Sequence, residues 1–342
     1  MVMSDRMQAP CRPMCHGMAI ASCWGMTKIP TLDLSRDDRS LAAVLEAAFS
    51  EIGFVLVTNH GVPAVEIARL YHEASSFFDQ PLATKLAVGR PRPDQNRGYI
   101  GMGSETLARL AGQETPPDYK EVFTIGPIDV SDEPYYTAAA AYPAFAPNLW
   151  PSVPEGLKPA MSAYWRSITA LAERVLGIGA LALDLPRDFF VSLTDRHISM
   201  LRLICYPPYL SQPATGQLRA GIHTDLNMLT FVHANSDEGG LEVRARDGSW
   251  LAPKASGDAY VVNVGDILMR WTNDRWVSTP HRVANPPSGW GERRLSVPFF
   301  FQANYDTVVE CLPSCVAVGQ VPKYRPITIG AYRAERFART AT

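Results

Sequence analysis

Gly221-Ile-His-Thr-Asp225, running on into the β-branched and aromatic stretch Met228 to His233, decides how this chain is read. His223 and Asp225 stand at i and i+2. On a strand that spacing turns both side chains to one face, within reach of a single metal ion. Alone, such a pair also suits two surface polar residues. From Ile198 onward, however, the sequence breaks into short β-rich runs separated by Gly, Asn and Pro, among them Leu201 to Tyr206, Ala259 to Val264 and Leu295 to Phe301. Runs of this length, punctuated by turn residues, predict a strand-rich barrel or jelly roll.

A metal held by His-x-Asp needs a third ligand. Of the seven histidines, His16 lies in the N-terminal leader, His60 in a turn, His72 in a helical stretch, and His197 and His233 within the strand-rich half. His281 is the best candidate. It opens the strand His281-Arg-Val-Ala after a turn at Asn273-Asp274, so a barrel returns it across from the pair. Two imidazoles and one carboxylate on one face of an octahedron leave three positions open, as in non-haem Fe(II) oxygenases. Arg294-Leu-Ser296 then sets two polar side chains on one face of a strand that continues as Val-Pro-Phe-Phe-Phe301, too apolar for a surface strand. An arginine facing a core needs an anion. Its guanidinium binds carboxylate bidentately, and the neighbouring hydroxyl adds a donor, with Tyr206 as a third. An internal Asp or Glu would satisfy it equally well.

Before this half, the hydrophobic pattern gives a short strand at Ile29 to Ser35, with Ser35 able to cap the next helix. That helix carries Leu41, Val44, Leu45, Ala48 and Phe49, and is followed by the strand Phe54 to Thr58 and a helix over about Ala64 to Phe78. Residues 89–127 are rich in Pro, Gly and polar residues without clear periodicity, which suggests a functional loop. A long helix spans about Lys158 to Leu183. The expected organisation is a disordered leader at 1–28, an α/β N-terminal section at 29–130, a jelly-roll core at 155–310 and a C-terminal segment at 311–342 packing on that core. Cys11, Cys15 and His16 make at most half a zinc site, and the six cysteines form no disulfide framework.

The formal net charge of -2 comes with scattered Lys and Arg rather than a basic stripe, so no nucleic-acid partner is expected. No apolar run approaches the roughly 20 residues that cross a bilayer. A cytoplasmic protein, monomeric or weakly homo-oligomeric and acting on a small molecule, is the simplest expectation.

Nearly end to end, the chain resembles the isopenicillin N synthase-like branch of the 2-oxoglutarate and Fe(II) dependent dioxygenases. The resemblance rests on Gly53-Phe-Val-Leu-Val-Thr-Asn-His-Gly-Val62, Asn96-Arg-Gly-Tyr99, Asp118-Tyr-Lys-Glu-Val-Phe123, Tyr206-Pro-Pro, Gly221-Ile-His-Thr-Asp225, Val261-Val-Asn-Val-Gly-Asp266, Ser278-Thr-Pro-His-Arg-Val283 and Arg294-Leu-Ser296. It implies a double-stranded β-helix core flanked by helices, with iron on His223, Asp225 and His281. It also implies 2-oxoglutarate held at its far carboxylate by Arg294, Ser296 and Tyr206. O₂ would then oxidise, most simply hydroxylate, a small organic substrate with release of succinate and CO₂. The Asp225 carboxylate argues against halogenation, which needs an open coordination position there. Two departures stand out. Ile204 occupies a position where many relatives have Asn, and Pro286-Pro-Ser-Gly-Trp-Gly291 lengthens the stretch before Arg294, leaving Arg293 as an alternative anion ligand. By position, Arg202, Leu226, Asn227, Phe300, Gln302, Tyr99 and Met102 are candidates to touch substrate. Two further readings stay open: an Fe(II) and O₂ oxidase of the same fold without 2-oxoglutarate, and a non-catalytic β-barrel binding protein.

Overall fold

The computed structural model describes residues 28–235, 240–255, 257–286 and 292–338. The expectations for residues 1–27 and for the insertion at 287–291 lie outside them. The N-terminal part contains β1 (Thr31–Asp33), α1 (Asp38–Glu51), β2 (Phe54–Thr58), α2 (Ala64–Phe78), α3 (Leu82–Leu86), β3 (Gly98–Ile100), β4 (Glu121–Ile125) and α4 (Pro134–Thr137). The long α5 (Leu157–Ala182) leads into β5 (Met200–Tyr206), β6 (Ala220–His223), β7 (Leu229–Ala234), β8 (Leu241–Arg244), β9 (Trp250–Leu251) and β10 (Tyr260–Val264). After these come α6 (Asp266–Trp271), β11 (His281–Val283), β12 (Arg294–Phe301), β13 (Val308–Val309), β14 (Ile327–Thr328) and α7 (Ile329–Ala338).

Two sheets face each other: an eight-stranded one in the order β1-β2-β10-β7-β12-β5-β4-β3, and a four-stranded one in the order β6-β11-β8-β9. The N-terminal section is no separate body, because it supplies β1 and β2 to one edge of the large sheet and β3 and β4 to the other. Residues 89–127, expected as loop, thus hold two strands. Glu121–Ile125 pairs along its whole length with β5, and five residues between Pro- and Gly-rich flanks are too few to show a period.

Side-chain alternation splits the large sheet into two faces. Leu295, Val297, Phe299 and Phe301 of β12 pack outward, with Leu201 and Leu203 of β5, onto α1, α2 and α5. On α5, Met161, Trp165, Ile168, Leu171 and Val175 recur at helical spacing and are all buried there. The opposite face looks at the small sheet, where Ile100, Val122, Ile204 and Tyr206 meet Ala220 and Val283. The cap of α1 differs from expectation: Asp37 accepts the Ser40 N–H at 3.1 Å, while Ser35 turns back to Asp33 at 2.8 Å. Among the described residues no helix is long and apolar enough to cross a membrane.

The α1–β2 corner turns on Gly53, whose φ is 70°. A Cβ there would lie 2.1 Å from the Val277 carbonyl oxygen and 2.9 Å from Thr279 Oγ1, in the segment leading to His281. Left-handed backbone and a clash with main chain add, so Gly53→Ala is expected to destabilise by about 2–4 kcal/mol. Urea unfolding checks this: the midpoint should fall at constant m-value, and an unchanged midpoint would show that the corner relaxes freely.

Candidate active site

His223 ends β6 and His281 begins β11, and the two are direct antiparallel partners. Their rings lie 4.4 Å apart between centroids. Asp225 falls past the end of β6, in the loop to β7, so strand alternation does not orient it as the sequence pattern suggested. Hydrogen bonds do. Its Oδ2 accepts from Thr230 Oγ1 at 2.5 Å and from Asn263 Nδ2 at 2.8 Å. These donors sit side by side on β7 and β10. Asn227 Nδ2 reaches Thr230 Oγ1 at 3.1 Å and the Leu229 carbonyl at 2.6 Å, bracing the same loop.

The Nε2 atoms of His223 and His281 each lie 3.8 Å from an Asp225 oxygen, Oδ1 and Oδ2 respectively. One ligand atom from each of the three residues falls within 4.8 Å of the others, a spacing that fits a single ion. The tautomers follow from the partners. His223 Nδ1 lies 2.8 Å from the Gly221 carbonyl and His281 Nδ1 lies 3.0 Å from that of Thr279. A carbonyl only accepts, so Nδ1 carries the proton and Nε2 keeps its lone pair for a metal. Burial, helped by His281, pushes His223 down to about 4, leaving its imidazole neutral at pH 7. Burial would raise the Asp225 carboxyl, but both histidines and the bonds from Thr230 and Asn263 outweigh it and hold it below its usual range.

Arg294 opposes Tyr206 across β12 and β5, and Ser296 opposes Ile204, so the four share the inner face. The Arg294 guanidinium sits 5.2 Å above the Tyr206 ring. It is 4% exposed, yet its Nε and Nη1 have no hydrogen-bond partner among the described residues. It borders a cavity of about 220 Å³ whose walls include Val232, Ala234, Leu241 and Val261. Arg293 points the other way, to Asp79 and the Ser75 carbonyl.

The remaining candidates disperse. Phe300 is on the inner face opposite Thr230, and Leu226 directly follows Asp225. Gln302 Nε2 bonds the Leu226 carbonyl at 3.3 Å. Arg202 also faces inward, but its Nη1 and Nη2 are engaged by Glu105 at 3.3 and 2.7 Å. Glu105 was not anticipated; burial would raise it, but Arg202 and Lys120 prevail and hold it at about 2. Asn227 is taken up in the bracing of Asp225. Met102 is 41% exposed. Tyr99 does not join the group. Its ring packs on Phe77 at 6.1 Å, on the helix side, and its hydroxyl donates to Glu121. Thr230 and Asn263 were missed as well, although a lone Asn inside Val261-Val-Asn-Val264 is a readable signal, since a polar residue in an apolar strand needs a buried partner.

This geometry has counterparts. A family model described as the 2OG-Fe(II) oxygenase superfamily matches residues 197–303, and one described as non-haem dioxygenase in morphine synthesis N-terminal matches 29–153. The 2-oxoglutarate-Fe(II) type oxidoreductase hxnY of Emericella nidulans is 36% identical over 293 residues, covering 82% of this chain and 80% of that protein. A full-length Neurospora crassa protein, crystallised in complex with alpha-KG (2-oxoglutarate), aligns with a TM-score of 0.79 at 30% identity, over 91% of this chain and 96% of that one. With alpha-KG and thymine bound, the same Neurospora protein gives 0.78 at 29% identity, over 91% and 97%. The chain belongs to the 2OG-Fe(II) oxygenase superfamily. Within it, the pairing of the two family models puts the chain in the isopenicillin N synthase-like branch, and it is an oxygenase that depends on iron, 2-oxoglutarate and O₂.

Thr230→Val and Asn263→Ala each remove a donor from Asp225 without touching a metal-facing atom. Each is expected to weaken divalent-metal binding roughly 10–100-fold with the fold retained. Anaerobic Fe(II) titration checks this, and wild-type affinity in both variants would mean that Asp225 orients itself.

Proposed function

We propose that His223, Asp225 and His281 hold Fe(II), that Arg294 with Ser296 and Tyr206 holds the distal carboxylate of 2-oxoglutarate, and that the chain hydroxylates a small organic molecule. The observation that carries this reading is the buried Arg294 guanidinium, with two unpartnered nitrogens on the same interior as the His-Asp-His set. A guanidinium forks onto carboxylate, and an inward fork with no carboxylate partner among the described residues fits an acidic co-substrate. The same observation disfavours the oxidase reading, which leaves Arg294 without an anion. The donor set fits iron too, since two neutral imidazoles and one carboxylate leave one coordination face for co-substrate and O₂.

When bound, iron and 2-oxoglutarate supply the O₂-activating chemistry, with the keto acid ending as succinate and CO₂. The protein's residues do the placing. Tyr206 backs the Arg294 guanidinium with its ring, and burial pushes its phenol up, so the hydroxyl stays a donor. Thr230 and Asn263 keep the Asp225 carboxylate in one orientation. For substrate, Arg202, Leu226 and Phe300 are the contacts best supported, a combination suited to a compact, partly polar molecule. Arg202 Nε is buried without a partner among the described residues while Glu105 fixes its other nitrogens, leaving one donor to aim at a substrate acceptor.

Titrating 2-oxoglutarate into anaerobic Fe(II) protein tests the assignment. Breaking a buried charged pair costs about 2–5 kcal/mol, so Arg294→Ala should lose roughly two orders of magnitude or more in affinity. Arg294→Lys should lose much of this as well, since an ammonium cannot fork. Arg293→Ala should bind like wild type. Equal affinities for wild type and Arg294→Ala would remove the assignment.

A further inference from the structure

Asp266 is 5% exposed, and no part of the proposed reaction uses it. Its carboxylate accepts from Ser278 Oγ at 2.7 Å on Oδ1 and from the Tyr332 hydroxyl at 2.8 Å on Oδ2. Arg336 Nη2 approaches Oδ2 at 3.7 Å. Its backbone N–H donates to the Asp225 carbonyl at 2.7 Å, and on either side Gly265 N–H bonds the Met228 carbonyl at 2.8 Å and Ile267 N–H that of Asn227 at 3.1 Å. The approach is close enough that a Cβ on Gly265 would sit 2.1 Å from the Asn227 carbonyl oxygen. Ser278 lies three residues before His281, whose ring is fixed by Thr279 in the same segment. Tyr332 and Arg336 both belong to α7. Asp266 therefore fastens the loop carrying Asp225 through its backbone N–H, and the approach to His281 and the C-terminal helix through its buried carboxylate.

We infer that Asp266 is a positioning residue that sets Asp225 against His281, and that Tyr332 and Arg336 make the C-terminal helix part of the metal site's support. The inference rests on the metal assignment above. A buried carboxylate is costly to desolvate, and a packing role alone would be met by an apolar side chain. The carboxylate instead ties the approach to His281 to the C-terminal helix, and so holds in place the backbone N–H that bonds the Asp225 carbonyl; the segments carrying Asp225 and His281 must keep a fixed separation for three ligand atoms to meet one ion.

Co(II), which reports its coordination through visible d–d bands, is the probe. Tyr332→Phe keeps the ring and deletes only the hydroxyl. It should weaken Co(II) binding by roughly tenfold, the scale of losses in outer-shell support, and should shift the bands. Asp266→Ala should lose more; should it fail to fold, Tyr332→Phe carries the test alone. Tyr324→Phe is the control, since it deletes a comparable hydroxyl, bonded to Asp274 at 2.6 Å, in the same C-terminal region. It should leave affinity and bands as in the wild type. Wild-type affinity and bands in Tyr332→Phe would overturn the inference, and so would an equal loss in Tyr324→Phe, which would indicate general loosening. If the wild type itself takes up no Co(II), the metal assignment falls and the role of Asp266 falls with it.

Discussion

The Asp225 carboxylate is ionised at 5% exposure, and a buried charge costs several kcal/mol unless its surroundings answer it. Here they answer in two ways. Two short hydrogen bonds fix one oxygen, and two imidazoles bring lone pairs to the same point. With Nδ1 of each ring turned to a backbone carbonyl, the two Nε2 atoms and the carboxylate converge as a donor set suited to a divalent cation. The two donors to Asp225 come from different strands, one five residues away and the other 38. Thr230 and Asn263 hold their angle because β7 and β10 are paired in the interior of the large sheet, and that sheet is stiffened by α1, α2 and α5 packed on its outer face.

A single parity rule divides that sheet. One face is a hydrocarbon layer shared with the helices; the other carries Arg294, Ser296, Tyr206 and Arg202. Adjacent arginines show how sharp the division is, since Arg293 makes a half-exposed ion pair with Asp79 while Arg294 looks into the interior. A slip of one residue in β12 would exchange them and send Phe299 and Phe301 inward. The bulky apolar run after Arg294 thus fixes the register in which Arg294 is useful.

Much of this was legible in the sequence. The strands β5, β7, β10 and β12 stand out as β-branched and aromatic runs, and α2 and α5 as amphipathic periods. His281 followed from eliminating histidines in other contexts. What escaped depended on tertiary partners. The β3 and β4 strands are too short to show a period; β4 exists because β5 offers it an edge, and β3 because β4 does. Tyr99 was named by position alone, and strand parity sets its ring against Phe77. Asp225 lies beyond its strand and is aimed by Thr230 and Asn263, a contact no local spacing encodes. Glu105, unremarkable in a polar loop, matters only because folding brings it onto Arg202.

The most direct test is an anaerobic crystal structure with Mn(II) standing in for Fe(II) and with 2-oxoglutarate bound. The account predicts the metal on His223 Nε2, Asp225 and His281 Nε2, the keto-acid end of 2-oxoglutarate completing its coordination, and the distal carboxylate forked onto Arg294. A metal held by another set of residues, or 2-oxoglutarate bound with Arg294 left out of contact, would contradict it.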